Sequence, residues 1–310
     1  MILTVTLNAA IDKRYVVEDF KPGAVFRIKE CSYSAGGKGL NVARVASIAG
    51  EDVLATGFVG GHAGNYIIEQ LEAQGIANDF LHISGESRSC INIYDEINET
   101  QTEFLEPGLY VTDENKEAML NKYKHLLNNC SVVAISGSVP NGVDSKLYKD
   151  MITSAKQQNK KVLLDTSGTI LREAIEVKPS LIKPNTDEIK LLAGRELVEE
   201  KDLIELTEEL QASGIEIVVI SCGADGSIIA CDEGVYRAYV PEVKAINTVG
   251  CGDSMIAGFA IGLRKNMKMV DIIKLSSAIS AANAMRIETG FYLKEDMEAI
   301  LPHVKVLKVK

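Results

Sequence analysis

The segment Asn247-Thr-Val-Gly-Cys-Gly-Asp253 leads a small, glycine-rich turn into the apolar stretch Ser254-Met-Ile-Ala-Gly258, which reads as a helix with an aspartate in its first turn. Glycine at 250 and 252 lets backbone N–H groups converge on one point with no side chain in the way. The start of the helix adds unpaired donors and the positive end of its dipole. Such a turn suits a phosphoryl group. An aspartate there has little use in holding phosphate, but it is well placed to orient a hydroxyl and take its proton during phosphoryl transfer. The competing reading makes Asp253 an N-terminal cap between two turn glycines.

A second glycine cluster, Ser34-Ala-Gly36-Gly37-Lys38-Gly39-Leu-Asn41, also opens a helix and places a lysine beside exposed backbone N–H groups. It is not a nucleotide-binding P-loop, because glycine follows Lys38 where that loop needs Ser or Thr for magnesium. With helical geometry from Lys38 onward, Asn41 shares its face, and the two could hold a polyol and its charge. The alternative is a helix start with a solvated lysine. Asn185-Thr-Asp-Glu188 follows a strand ended by Lys183-Pro184. Asn185 and Glu188 fall on one helix face and could organise a hydrated magnesium, or they form a capping box. Two look-alikes fail in context. Gly250-x-Gly252 has Met255 where a dinucleotide fingerprint needs glycine, and Ser221-Cys-Gly223-Ala-Asp-Gly226 lies between strands rather than opening a helix. Gly258-x-x-x-Gly262 reads as close helix packing.

These groups need a frame. The 310 residues are 46% hydrophobic and 25% charged, enough for a large core in an ordinary folded protein, and the net charge of −10 with no basic block argues against nucleic acid as partner. Six cysteines, at 31, 90, 130, 222, 231 and 251, show no Cys-x-x-Cys pair and no histidine-rich neighbourhood, so they read as reduced, mostly buried thiols. No apolar run approaches a membrane span, and the first residues enter a strand-like run directly, so a cytoplasmic protein is expected. Strand-like runs at 2–7, 53–59, 132–136, 162–164, 181–183 and 217–221 alternate with helical patterns near 38–49, 64–74, 114–128, 144–158, 201–213, 253–265 and 270–287. Nearly continuous apolar strands belong to a mostly parallel sheet covered on both faces, with ligands at the carboxyl ends of the strands. Residues 13–34 and 88–106 instead alternate polar and apolar positions without a helix between paired runs, as a small antiparallel sheet would. Such a flap covers a ligand, pairs with a second subunit, or is simply solvated. No linker divides the chain, so residues 1–310 are expected to form a single domain.

Taken together, these residues resemble the ribokinase-like, or PfkB, carbohydrate kinases over essentially the whole chain. Ala35-Gly-Gly-Lys-Gly-Leu-Asn41 is similar to the family's first signature, Thr248-Val-Gly-Cys-Gly-Asp253 to its second, and Asn185 to Glu188 to the motif between them. The resemblance implies an α/β three-layer sandwich whose flap is a β-lid that closes over the sugar and serves as a dimer clasp. It implies ATP and Mg2+, Asp253 as base with Gly250, Cys251 and Gly252 forming the phosphoryl-holding turn, and Glu188 near the magnesium. Lys183, Asn185 and the turn Ser221, Gly223, Gly226 would face the nucleotide, with Asn283 near the adenine unless it is a helix–helix contact. The start Thr6-Leu-Asn8-Ala-Ala-Ile-Asp12 and Gly85-Glu-Ser-Arg88 look like the branch acting on ketohexose monophosphates. There Asp12, Gly36, Gly37 and Asn41 would meet the sugar, and Lys38 with Arg88 its phosphate. Ala9 and Cys251 depart from the residues common in that branch. Asp165-Thr-Ser-Gly168, Gln101-Thr-Glu-Phe-Leu105, Ile182-Lys-Pro-Asn185 and Gly194-Arg-Glu196 lean toward tagatose 6-phosphate, whereas Leu301-Pro-His-Val-Lys-Val306 looks as much like enzymes acting on fructose 1-phosphate. A free-sugar or nucleoside kinase would not need Arg88, and a non-catalytic sugar-phosphate sensor would not need Asp253.

Overall fold

The computed structural model describes residues 1–195 and 199–310, so Glu196 of the Gly194–Glu196 stretch lies outside the described residues. The chain runs β1 (Ile2–Thr6), β2 (Ala10–Val17), β3 (Glu30–Gly36), α1 (Lys38–Ile48), β4 (Val53–Val59), α2 (Gly61–Ala73), β5 (Ala77–Asn78), β6 (Leu81–His82), β7 (Arg88–Asp95), β8 (Thr100–Leu105), α3 (Asp113–Leu126), β9 (Val132–Ser136) and α4 (Ser145–Gln157). It continues through β10 (Lys161–Asp165), α5 (Gly168–Ala174), β11 (Leu181–Ile182), α6 (Thr186–Ala193), α7 (Glu200–Ala212), β12 (Ile217–Ser221), β13 (Ser227–Cys231), β14 (Gly234–Tyr239), α8 (Cys251–Arg264), α9 (Met269–Ala284), α10 (Lys294–Ile300) and β15 (Lys305–Lys308).

The main sheet runs β15-β14-β13-β12-β11-β10-β9-β1-β4-β5, with β6 also paired to β4. From β12 to β5 every pairing is parallel. The sequence pattern ended the sheet at residue 221, but β13, β14 and β15 extend that edge with antiparallel pairings. Along β1, Ile2 enters one apolar cluster with α1, α8 and α9, while Leu3 and Val5 enter another with α3 and α4. Burial on both faces is what the unbroken apolar strands encode, and it makes three layers. On the first face α8 and α9 pack closely. A Cβ added at Gly258 would lie 2.4 Å from the Ser276 Cα, so glycine there permits the approach.

The lid is a separate sheet in the order β3-β2-β7-β8. Its two hairpins are antiparallel, as expected, but β2 and β7 join them in parallel. Both of those strands leave the main sheet, one after β1 and the other after β6, and so run the same way. The lid also begins at Ala10 rather than near Lys13, which puts Asp12 inside a paired strand with a fixed direction. All six cysteines are free, but only Cys130 and Cys231 are buried. Cys31 is exposed, and Cys90 and Cys251 belong to the lid and the glycine turn, where burial by the main core does not reach. Among the described residues no helix is long and apolar enough to cross a membrane.

Candidate active site

A cavity of about 1000 Å³ separates the lid from the carboxyl ends of the central strands. Asp12 and Arg88 enter it from the lid, Lys38 and Asn41 from α1, Lys183 from the end of β11, and Asp253 from α8. Gly250 takes φ +84° at the N-cap of α8, and a Cβ there would fall 2.7 Å from the Gly290 nitrogen, so only glycine fits both the dihedral and the space. Among the described residues the backbone N–H groups of Gly252 and Asp253 donate to no protein acceptor, and no side chain caps α8. Asp253 is therefore not the cap of its own helix. Its carboxylate is only 5% exposed and its Oδ2 accepts from Asn41 Nδ2 at 2.8 Å. Burial pushes the carboxyl up to about 6 and the charge of Asp165 adds to this, while Lys38, the Asn41 bond and Lys183 pull the other way. A carboxyl so poised is a proton acceptor that works near neutral pH.

Asp165 ends β10, and one of its oxygens faces both lysines, Lys38 Nζ at 3.4 Å and Lys183 Nζ at 3.6 Å. Its other oxygen, Oδ2, is buried with no partner among the described residues. Burial pulls the Lys38 ammonium down, but Asp165, Asp253 and Glu188 outweigh it and hold the group up to about 12, so Lys38 stays charged. A Cβ added at Gly252 would stand 3.0 Å from Lys183 Nζ, which places that ammonium over the glycine turn. The turn, the two lysines and the carboxyl of Asp253 thus line one end of the cavity together. In the sequence Asp165 stands out only through the resemblance of Asp165-Thr-Ser-Gly168. Its position as the last residue of a parallel strand was the available signal.

On the lid, burial pushes Asp12 up to about 6, against the pull of Arg44 and Arg88. Gly36 makes room for it, since a Cβ there would overlap the Asp12 carboxylate carbon at 2.0 Å. Arg88 Nε donates to Asn8 O at 3.2 Å, Nη1 to Glu106 O at 3.2 Å and Nη2 to Ser138 Oγ at 3.4 Å. Backbone carbonyls fix the guanidinium at the cavity wall without neutralising it.

The chain matches the family described as pfkB family carbohydrate kinase over residues 3–296. It belongs to that family. This kinase is 37% identical to the tagatose-6-phosphate kinase of Staphylococcus epidermidis over 312 residues, covering 100% of both chains. Its fold matches a possible 1-phosphofructokinase from Thermotoga maritima with TM-score 0.91 and 30% identity over 100% of both chains. It also matches phosphofructokinase-2 from Escherichia coli in complex with fructose-6-phosphate with TM-score 0.90 and 25% identity, over 97% of this chain and 98% of that one. ATP is accordingly its phosphoryl donor.

Not every residue singled out in the kinase's sequence reaches the cavity. Gly37, Asn185, Glu188 and Ser221 line it with those above, but Gly36, Cys251, Gly223, Gly226 and Asn283 do not. Asn283 is fully buried, accepting from Ser254 Oγ and Phe291 N at 3.1 Å and donating to Val249 O at 3.1 Å. It holds the glycine turn from behind, as a helix contact would, and is not among the residues that line the cavity. The Cys251 side chain turns toward the same residue, 3.4 Å from Asn283 Nδ2. Gly223 and Gly226 shape the turn after Ser221, where a Cβ at 226 would strike Ala238 O at 2.1 Å. Asn185 and Glu188 form the capping box, with Asn185 N donating to Glu188 Oε2 at 3.0 Å and Glu188 N to Asn185 Oδ1 at 2.8 Å.

Proposed function

We propose that the kinase transfers the γ-phosphoryl of ATP to the free primary hydroxyl of a ketohexose monophosphate, with tagatose 6-phosphate, giving the 1,6-bisphosphate, as the leading substrate. The observation that carries this reading is one cavity lined by a buried carboxylate, Asp253, and by two cations, Lys38 and Arg88, enough to meet a second anion besides the transferred group. A free sugar needs only the first. The full-length identity with a tagatose-6-phosphate kinase supports the choice of sugar, and the likeness to a possible 1-phosphofructokinase keeps fructose 1-phosphate as the second reading.

In this mechanism Asp12 and Asn41 orient sugar hydroxyls and Arg88 with Lys38 holds the phosphate already present. Asp253 takes the proton of the attacking hydroxyl, while the backbone amides of Gly252 and Asp253 and the Lys183 ammonium stabilise the charge on the transferred group. Asn185 and Ser221 line the nucleotide end. Among the described residues no group of three or more Asp, Glu, His or Cys side chains could cage a metal ion. Glu188 lines the cavity and is the carboxylate that would hold a magnesium ion there, which would neutralise phosphate charge. We further propose that residues 1–310 work as one domain in the cytoplasm, and as a homodimer through the lid face that carries Tyr33, Ile91 and Phe104. Tyr33 and Phe104 are 48% and 53% exposed on it.

The test is a coupled assay of ATP turnover against tagatose 6-phosphate, fructose 1-phosphate, fructose 6-phosphate and ribose. Highest kcat/KM with tagatose 6-phosphate is expected. Preference for ribose would refute the assignment of the substrate class.

A further inference from the structure

Arg44 plays no part in the mechanism above, yet its guanidinium meets three segments that must stay in register for it. It lies on α1 three residues after Asn41 and is 8% exposed. Nη1 donates to Asn41 Oδ1 at 3.1 Å and to Thr289 O at 3.0 Å, Nη2 donates to Ala35 O, and Nε donates to Gln74 Oε1 at 2.9 Å. The two ends of an asparagine amide are nearly equal in shape and opposite in polarity. With a guanidinium on its oxygen, Asn41 can only turn its NH2 toward Asp253, where it donates at 2.8 Å. Flipped, it would set its oxygen against the carboxylate and its NH2 against the guanidinium, unfavourable at both ends.

The other contacts reach further. Thr289 precedes Gly290, whose nitrogen backs the Gly250 turn and whose own Cβ position lies 2.6 Å from Asn41 Cβ. Ala35 is the residue before Gly36 at the root of the lid, next to the space that Asp12 fills. We propose that Arg44 is a positioning residue for phosphoryl transfer, which fixes the Asn41 amide so that it donates to Asp253. The charged groups around this pair are Asp165, Lys38 and Lys183 beside Asp253, and Asp12 facing Arg44 from the lid. Gln74, at the end of α2, is neutral.

This rests on Asp253 being the base, so Asp253→Asn is measured alongside. The variants are Arg44→Met, Arg44→Lys, Asn41→Ala and each Arg44 change combined with Asn41→Ala, with sugar phosphate and ATP varied independently. Arg44→Met should lower kcat by ~10- to 100-fold and leave the KM for ATP within about twofold, as expected when a reacting group loses its alignment. Arg44→Lys should recover little, because one ammonium cannot span the forked acceptors. Either change should cost no further kcat on top of Asn41→Ala, since it acts through that residue. The acid limb of kcat should move to higher pH in both Arg44 variants, because the Asn41 contact that holds the Asp253 carboxyl down is loosened. Unchanged kcat, losses that multiply in the double variants, or an unmoved acid limb would overturn the proposal. If Arg44→Met does not fold, Arg44→Lys, which keeps the buried charge, decides by the same criteria. An inactive Asp253→Asn enzyme with undisturbed Arg44 variants removes this proposal alone. An active Asp253→Asn enzyme removes the base assignment and this proposal with it.

Discussion

Replacing Asp253 by asparagine should make the protein more stable while it destroys activity, and the gain should depend on pH in a way that the structure fixes. The carboxyl sits at about 6 instead of its ordinary 3.8, chiefly because it is buried. A raised carboxyl means that the folded state holds the proton more tightly than the unfolded chain. The contribution of Asp253 to stability is therefore largest below pH 4, falls as pH rises from about 4 to 6, and is level above that. A shift of this size corresponds to on the order of 2–3 kcal/mol at pH 8, using about 1.4 kcal/mol per unit. Asparagine has nearly the same shape, can still accept from Asn41 and carries no charge to bury. Thermal unfolding of the two proteins without ligand should then coincide near pH 4 and diverge by several degrees at pH 8, with about 2–4 °C per kcal/mol as the conversion. Turnover should fall by at least ~10²-fold through loss of the proton acceptor. Equal stability at pH 8, or a gain of the same size at pH 4, would refute the claim that Asp253 is held as a strained base. Near-normal turnover would refute its role.

Arg88→Ala should raise the KM for the sugar phosphate by roughly 10- to 150-fold, the worth of a charge-assisted phosphate contact, with the KM for ATP unchanged, and an unmoved sugar-phosphate KM would mean that Arg88 does not read the phosphate. Gly36→Ala places a methyl where the Asp12 carboxylate lies, so it should weaken sugar binding at least ~10-fold with ATP binding intact, and isothermal titration with each substrate would expose the opposite result. In wild-type enzyme log kcat should fall as pH drops below about 6, as Asp253 becomes protonated, and a flat profile down to pH 5 would contradict this. Light scattering should report a dimer, and Phe104→Asp on the lid should yield monomers with weakened sugar-phosphate binding. A wild-type monomer with full activity would remove the clasp.

What the sequence made legible follows from how local each signal is. The parallel strands are visible because burial on both faces leaves β9 and β12 apolar up to their last residue, and β1 apolar but for two small threonines. The lid was visible because its two faces differ. The catalytic turn was visible because the demand for positive φ at Gly250 and for space at Gly252 is written into a few adjacent residues. At Asp253 the cap reading meets one local fact, that among the described residues no side chain caps α8. The signals that stayed hidden are those set by register between distant strands. The parallel pairing of β2 with β7 depends on where each strand leaves the main sheet, 78 residues apart in numbering between Ala10 and Arg88, and alternation within either strand is blind to it.

Asp165 and Arg44 belong to the same class. Nothing near Asp165 announces that two lysines, one 127 residues before it and the other 18 after, converge on one of its oxygens, because that meeting is made by the order β11-β10-β9-β1 and not by spacing. Arg44 looks like one more polar residue on α1 until the fold brings Thr289 and Ala35 to it. Reactive groups in this chain are therefore signalled by glycines that clear space around them, while the groups that aim them carry no such mark. Asn283 makes the point from the other side. A polar residue among small ones stands out equally as a ligand contact or a helix contact, and the fold makes Asn283 a buried amide bonded to Ser254, Val249 and Phe291. A polar side chain within an apolar helix satisfies its own hydrogen bonds first, and whether a ligand is among the partners is decided by neighbours that come from elsewhere in the chain.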